Sequence, residues 1–132
     1  MRQEEIERYR EEMRQSMLEL SKNGYKCYMV DRDGFLYGYM ITPSDNVLCV
    51  QRDNWAYRGW NFSFKYVPRK ETGSGCSCLE DPTPDMSIET VQRAEKEGSN
   101  FAYRLKATRY KSSEAWLKNY WKKEDLIPVT AE

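Results

Sequence analysis

The first part of the chain has the most regular hydrophobic periodicity. Apolar side chains recur there at spacings of three and four residues, and Glu and Arg fill most positions between them. This spacing predicts an amphipathic helix over residues 3–22. Asn23 and Gly24 follow, and both tolerate the left-handed conformation that ends a helix. The apolar positions are Ile6, Tyr9, Met13, Met17 and Leu20.

Four strand-like runs come next, at residues 25–30, 35–42, 47–51 and 60–67. The last run alternates aromatic and polar side chains, which is typical of a half-buried strand. Turn signals at 31–34 and 43–46 and a predicted loop at 52–59 link the runs. Links this short favour an antiparallel meander, with 31–34 and 52–59 at the same end of the sheet.

Two more helices are predicted near the C-terminus, after a long loop at 68–86 that is rich in Pro, Gly, Ser, Thr and acidic residues. Ser87 caps the first of them, and Gly98 falls on its apolar stripe. Because the stripe keeps its phase, we expect close contact with the sheet at Gly98 rather than a break. The last helix starts near Ser113 and ends before Pro128.

This order of elements predicts a single α+β domain over residues 1–132. It has an N-terminal helix, a four-stranded antiparallel meander and two C-terminal helices packed on the sheet. The helices are expected to cover one face, since a sheet this small needs such cover. Ten Tyr, four Trp and six Met are expected to complete a core that is poor in aliphatic residues.

Charge is balanced overall, with 21 basic and 21 acidic residues, which argues against a general nucleic-acid scaffold. Its distribution is nevertheless uneven. Residues 71–98 hold seven acidic and two basic side chains, whereas residues 104–123 hold seven basic side chains and the single acidic Glu114. Such polarity suits docking in a fixed orientation, and the acidic segment could imitate nucleic-acid phosphates.

The sequence offers little for catalysis. It has no His, no nucleophile-elbow motif, no Walker loop and no dinucleotide fingerprint. A Ser, Cys or Tyr nucleophile would lack its usual base. We therefore expect a protein that is not an enzyme, with no catalytic residue and no cofactor assigned. Metal-dependent cleavage by scattered carboxylates stays open.

The four cysteines raise the question of a metal. Cys76 and Cys78 could form half of a zinc site that Cys27 and Cys49 complete. The C-x-C spacing is too tight for structural zinc, however, so no metal is assigned. The chain has no signal-peptide pattern and no apolar run long enough to cross a membrane. A cytoplasmic location with reduced cysteines is expected.

The main candidate binding site lies at one end of the meander. There the predicted topology brings Arg32 close to Trp55, Tyr57 and Arg58. Trp, Tyr and Arg are the residues that most often dominate binding energy. The alternative is that Trp55 packs back onto the edge of the sheet.

Two further basic pairs are candidates for contact with a partner. Arg69 and Lys70 adjoin a glycine-rich loop that could receive an anion, although a plain flexible loop is the alternative. Arg109 and Lys111 precede the last helix within the basic, aromatic region 104–123. That region could bind RNA or single-stranded DNA, or its aromatic residues could simply pack on the core.

Three stretches, at residues 38–53, 68–78 and 110–116, resemble small accessory proteins of mobile elements in Gram-positive bacteria. Some proteins of that kind inhibit CRISPR–Cas nucleases. The resemblance implies a small inhibitor that occupies a surface of a larger protein or nucleoprotein, such as a Cas nuclease. It assigns no residue roles, and pairing of the first helix with a second copy, giving a homodimer, is left open.

Overall fold

The computed structural model describes residues 3–30, 36–55, 59–67, 77–78, 83, 85–101, 112–120 and 126–130. The amphipathic N-terminal segment forms helix α1, Gln3–Ser21. It buries the predicted stripe, including Met13, Met17 and Leu20. Gly24 has a φ of 88°, so the predicted left-handed stop is confirmed.

The described residues form six antiparallel strands, in the order β5-β4-β3-β2-β1-β6 across one sheet. The four central strands form the predicted meander, and each edge has one strand more than predicted. The strands are β1 Lys26–Val30, β2 Tyr37–Ile41, β3 Val47–Trp55, β4 Gly59–Val67, β5 Ser77–Cys78 and β6 Leu126–Val129.

The two edge strands were missing from the prediction for different reasons. β5 has two residues, too few for any alternation to appear, and it lies in the predicted loop 68–86. β6 contains Pro128, which the sequence analysis interpreted only as a helix terminator. An edge strand accepts proline, because one side of its backbone needs no hydrogen-bonded neighbour.

Two C-terminal helices are present. Helix α2 is Ile88–Phe101, and the hydroxyl of Ser87 accepts a hydrogen bond from the Thr90 backbone N–H at 3.3 Å, as expected of a cap. α2 continues through the buried Gly98, so the expectation of an unbroken helix is confirmed. Helix α3 is Ser113–Tyr120.

The helices cover both faces of the sheet, so the prediction of a single covered face is wrong. α1 and α2 pack on one face, where Met40, Leu48 and Val50 are fully buried. α3 packs on the other face, where its Trp116 and Leu117 contact a separate group of apolar side chains. Strand residues alternate between the two faces, and both sets are apolar, so a second cover is needed. That group comprises Tyr28, Val30, Tyr39, Ile41, Val47 and Leu126.

Candidate functional site

The β3–β4 hairpin extends beyond the neighbouring strand at one end of the sheet. β2 pairs with β3 as far as Tyr37 and Gln51, whereas β3 and β4 remain paired to Trp55 and Gly59. The predicted loop at 52–59 is therefore mostly strand, and that prediction is wrong. We call the paired residues 53–55 and 59–61, with the segment of chain that joins them, the hairpin arm. At about 3.4 Å per residue, its three register pairs project the arm by roughly 10 Å.

The arm starts directly after the register pair of Arg52 and Phe62. On one side of this pair, the Arg52 backbone N–H donates to the Leu36 carbonyl at 2.8 Å. On the other side, Phe62 and Thr83 exchange backbone hydrogen bonds of 2.9 and 2.8 Å. Beyond these contacts, no strand among the described residues pairs with either edge of the arm. Arg52 and Phe62 thus form its base.

Helix α1 contacts this base through the Arg52 side chain. The guanidinium carbon lies 4.3 Å from the centre of the Tyr9 ring and 4.8 Å from the centre of the Phe62 ring. Its Nη1 lies 2.6 Å from Oε2 of Glu12. Arg52 is thereby in contact with two aromatic rings and one carboxylate. We call Tyr9, Glu12, Arg52 and Phe62 the clamp.

The clamp is asymmetric in its exposure to water. The Arg52 side chain is 11% exposed, whereas that of Glu12 is 50% exposed. The Arg52 Nε is buried and has no hydrogen-bond acceptor among the residues that the structure describes. A buried N–H group without an acceptor is destabilising, because it loses its hydrogen bond to water. The unpaired Nε therefore lowers the contribution of Arg52 to folding stability.

Of the predicted site residues, only Trp55 lies within the described ranges. Trp55 ends β3, where its backbone pairs with Gly59. The topology places the ends of β1 and β3 at the same end of the sheet, as predicted. The remaining predicted site residues lie outside the described residues. They are Arg32, Tyr57, Arg58, Arg69, Lys70, Arg109 and Lys111.

Sequence reasoning missed the clamp, although a signal for it was present. Tyr9 was assigned to the apolar stripe of the first helix, and Arg52 was assigned to a loop. Leu48, Val50 and Arg52 alternate in the manner of one strand face, and Phe62 occupies the same register row as Arg52. Extending the alternation past residue 51 would have placed Arg52 on the α1 side.

The described part of the basic region is engaged within the fold. Trp116 is 6% exposed and Leu117 is fully buried, so this tryptophan offers no stacking surface for a base. Glu114 forms ion pairs with Lys26 at 2.9 Å and with Lys118 at 3.2 Å, and these two contacts lower the pKa of its carboxyl. In residues 112–120, packing within the fold therefore accounts for the mixture of aromatic and basic residues.

The cysteines that were proposed to complete a zinc site lie on opposite faces of the sheet. Cys27 on β1 belongs to the core under α1, whereas Cys49 on β3 packs against the core under α3. They cannot ligate one ion together. Burial raises the pKa of the Cys27 thiol to about 12, which leaves it protonated and unreactive at neutral pH. Among the described residues, no group of three or more potential metal ligands occurs.

Acidic residues of the 71–98 segment are also used inside the fold. The Glu95 carboxylate accepts hydrogen bonds from the Thr42 hydroxyl and from the Asn46 amide, the latter at 2.8 Å. Asp85 accepts from the Ser87 backbone and from the Thr90 hydroxyl, and these bonds lower its pKa. The Glu95 carboxylate is therefore committed to contacts within the fold, whereas Asp85 lies at an exposed position.

A groove of about 800 Å³ runs between α1 and β6, and it exposes Ile127 to solvent. Its strand edge is poorly suited to adding another strand. β6 is the outer strand there, and Pro128 lies within it. Pro128 has no N–H to offer, which blunts this edge.

Comparison with protein-family models, with curated proteins and with solved structures finds no match for this chain. In the part of the chain that the structure describes, no helix combines the length and apolar character needed to cross a membrane.

Proposed function

We propose that the protein is a non-enzymatic binding protein that uses the hairpin arm to occupy a surface of a larger protein or nucleoprotein. The observation that carries this proposal is the projection of the arm beyond the sheet, with unpaired strand edges on both sides in the described ranges. A projecting two-stranded ribbon can enter a groove that a flat sheet cannot reach.

The composition of the arm supports the same function. Residues 55–60 include Trp55, Tyr57, Arg58 and Trp60. These residue types are enriched at the centres of binding interfaces, where large rigid side chains fill pockets. A two-stranded ribbon by itself is only marginally stable in water. We take the presence of these residue types in the arm as a sign of contact with a partner.

The charge of the arm favours a protein groove as the surface recognised. Residues 53–61 carry one acidic residue, Asp53, and one basic residue, Arg58. A ribbon that binds nucleic acid needs several basic side chains for the phosphates. The arm has no such excess, so we expect contact with protein side chains, either in a protein or in the protein part of a nucleoprotein.

The resemblance of residues 38–53, 68–78 and 110–116 to accessory proteins of mobile elements narrows the proposal. On that basis the partner is a host defence nuclease of the CRISPR–Cas type, inhibited by steric occlusion in the cytoplasm. No chemical step is required, because an arm that fills the groove excludes the substrate.

The test is a comparison of partner capture by two purified double variants. Trp55→Ala with Arg58→Ala removes the proposed anchors. Ile127→Ala with Arg93→Ala is the matched control, since it removes one exposed apolar and one exposed basic side chain away from the arm. Tagged proteins are incubated with a Gram-positive host lysate, with and without added nuclease, and retained proteins are quantified.

The arm variant should retain at least about tenfold less partner, because two truncated anchors typically remove more than enough binding energy for that change. Its melting temperature should stay within a few degrees of the parent. The control should capture normally. Equal capture by both variants would contradict the proposal, and so would a large fall in the melting temperature of the arm variant.

The same experiment distinguishes the alternative function, binding of RNA or single-stranded DNA through residues 104–123. Capture that disappears after nuclease treatment, together with loss of binding in Arg109→Glu plus Lys111→Glu, would support that alternative. Capture of a protein that survives nuclease treatment supports the arm.

A further inference from the structure

We propose that Arg52 is a positioning residue that holds the hairpin arm in one orientation relative to α1 in the free protein, before a partner binds. Within residues that the structure describes, the arm has no neighbouring strand, so its base sets its direction. The base of the arm is part of the clamp, since Arg52 and Phe62 belong to both. A small rotation there would be magnified at the strand ends, Trp55 and Gly59.

The geometry of the clamp restricts such a rotation. The planar guanidinium contacts the rings of Tyr9 and Phe62, while Glu12 binds its Nη1 at 2.6 Å. Tyr9 and Glu12 belong to α1, and Phe62 belongs to β4. Arg52 therefore joins the helix layer to both strands of the arm. A lysine would keep the charge but lose the flat surface that fits between rings.

The unpaired Nε indicates that Arg52 is not the side chain that would give the greatest folding stability at this position. A buried charged side chain is often no more stabilising than an apolar one of similar size, and here one buried N–H of Arg52 has no acceptor among the described residues. Replacing Arg52 by Met should leave the core intact. What Met cannot do is fix the orientation of the arm, because it makes neither the ion pair nor the cation–π contacts.

The consequence for binding rests on the proposed function of the arm. An arm that is already oriented loses less conformational entropy when it docks. Its binding to the partner is therefore tighter. The clamp thus makes α1, which lies outside the arm, a determinant of affinity.

Amide hydrogen exchange of the free protein tests the clamp without a partner. In Arg52→Met, amides of residues 53–61 should exchange roughly tenfold faster, as expected when the cation–π contacts of a nearly buried guanidinium are lost. Amides of Cys27–Val30 in the sheet core should keep the parent rate. Tyr9→Leu should accelerate the arm in the same way while Arg52 is retained.

Arg14→Met is the matched control, because it removes another Arg–Glu pair of α1, the exposed pair with Glu11 at 2.7 Å. It should change neither set of amides. Arm exchange that is unchanged in Arg52→Met overturns the clamp proposal, whatever the capture result. Equal acceleration of arm and core also overturns it, since that would indicate ordinary loss of stability.

Partner capture by Arg52→Met separates this inference from the proposed function. Faster arm exchange together with capture weakened by about tenfold supports both. Faster arm exchange with undiminished capture leaves the clamp standing and contradicts the arm as the binding surface.

Discussion

Gly38 of β2 lies in tight contact with the backbone of β1 and with Met17 of helix α1. A Cβ atom at this position would be 2.3 Å from the Tyr28 carbonyl oxygen and 2.7 Å from the terminal methyl of Met17. Met17 is flexible, but the Tyr28 oxygen belongs to the backbone of β1. Adding a methyl group therefore requires β1 and β2 to separate.

Gly38→Ala should accordingly lower the free energy of unfolding by about 3 kcal/mol, the upper part of the usual range for overpacking. Urea denaturation measures this change. Gly24→Ala is the comparison, since its Cβ would meet Pro43 at an ordinary 3.4 Å and only its φ of 88° is unfavourable. Its loss should be about 1 kcal/mol. Equal losses would contradict the packing argument.

Tyr28 provides a prediction about alkaline pH. Burial, with the nearby Glu114 carboxylate, raises the pKa of its phenol from 10.0 to about 12. Because the folded state disfavours ionisation, the stability from the neutral phenol is complete below pH 10 and is lost as the pH rises toward 12. The loss should approach about 1.4 kcal/mol per pH unit within that window.

Tyr28→Phe should remove this part of the alkaline loss, because phenylalanine does not ionise in either state. Unfolding free energies of both proteins are compared from pH 8 to pH 11.5. A parent and a variant with parallel profiles above pH 10 would show that Tyr28 does not titrate differently on folding.

At single positions, sequence reasoning succeeded where one residue type has one dominant use. Gly24 was predicted to end α1 and Ser87 to cap α2, and both do so. It failed for Arg52, because an arginine between a strand and a predicted loop is usually a solvated residue. Its burial depends on Tyr9, which is 43 positions away in the chain and on another element.

Among the elements, the turn between β2 and β3 joins both C-terminal helices to the sheet. Asp45 has a φ of 64°, and both oxygens of its carboxylate lie 3.2 Å from the Ser113 backbone N–H at the start of α3. Its carbonyl accepts a hydrogen bond from the Ser113 hydroxyl. On the other side, Asn46 binds Glu95 of α2. A four-residue turn thus fixes two helices on opposite faces.

Asp45→Ala should destabilise the protein by about 2 kcal/mol, half from the left-handed backbone and half from the lost helix cap. Asp45→Asn keeps a side chain that tolerates this conformation and retains one acceptor, so its loss should be below about 1 kcal/mol. Thermal or urea denaturation distinguishes the two. Equal losses would mean that Asp45 contributes neither effect.

Elements with a strong periodic pattern could be predicted, and the others could not. α1 follows from apolar residues spaced three and four apart, and the four central strands follow from short strand-like runs bounded by turn signals. The helix over Ser113–Tyr120 was found as well, but its face was not. The pattern cannot say on which side of the sheet a helix packs. β1 and β2 bury residues on both faces, and this was the available signal that two covers exist.

At the scale of the molecule, a sheet covered on both faces supports a hairpin that leaves the sheet at one end. Eight aromatic side chains are buried or half-buried and contribute to the interior: Tyr9, Tyr25, Tyr28, Tyr37, Tyr39, Phe62, Phe64 and Trp116. Ile127 is the exposed large apolar side chain in the described ranges, and it lies beside a strand edge blunted by Pro128. Among the surfaces of the described residues, the arm is the one that we propose for a partner.

Site-specific photo-crosslinking tests this central claim most directly. The probe p-benzoylphenylalanine replaces Tyr57, which lies in sequence between the two strands of the arm, or Gln92, an exposed residue of α2. After irradiation in the host, the account predicts a nuclease-resistant adduct with one host protein from position 57 and none from position 92. The same adducts from both positions, or none from position 57, would contradict it.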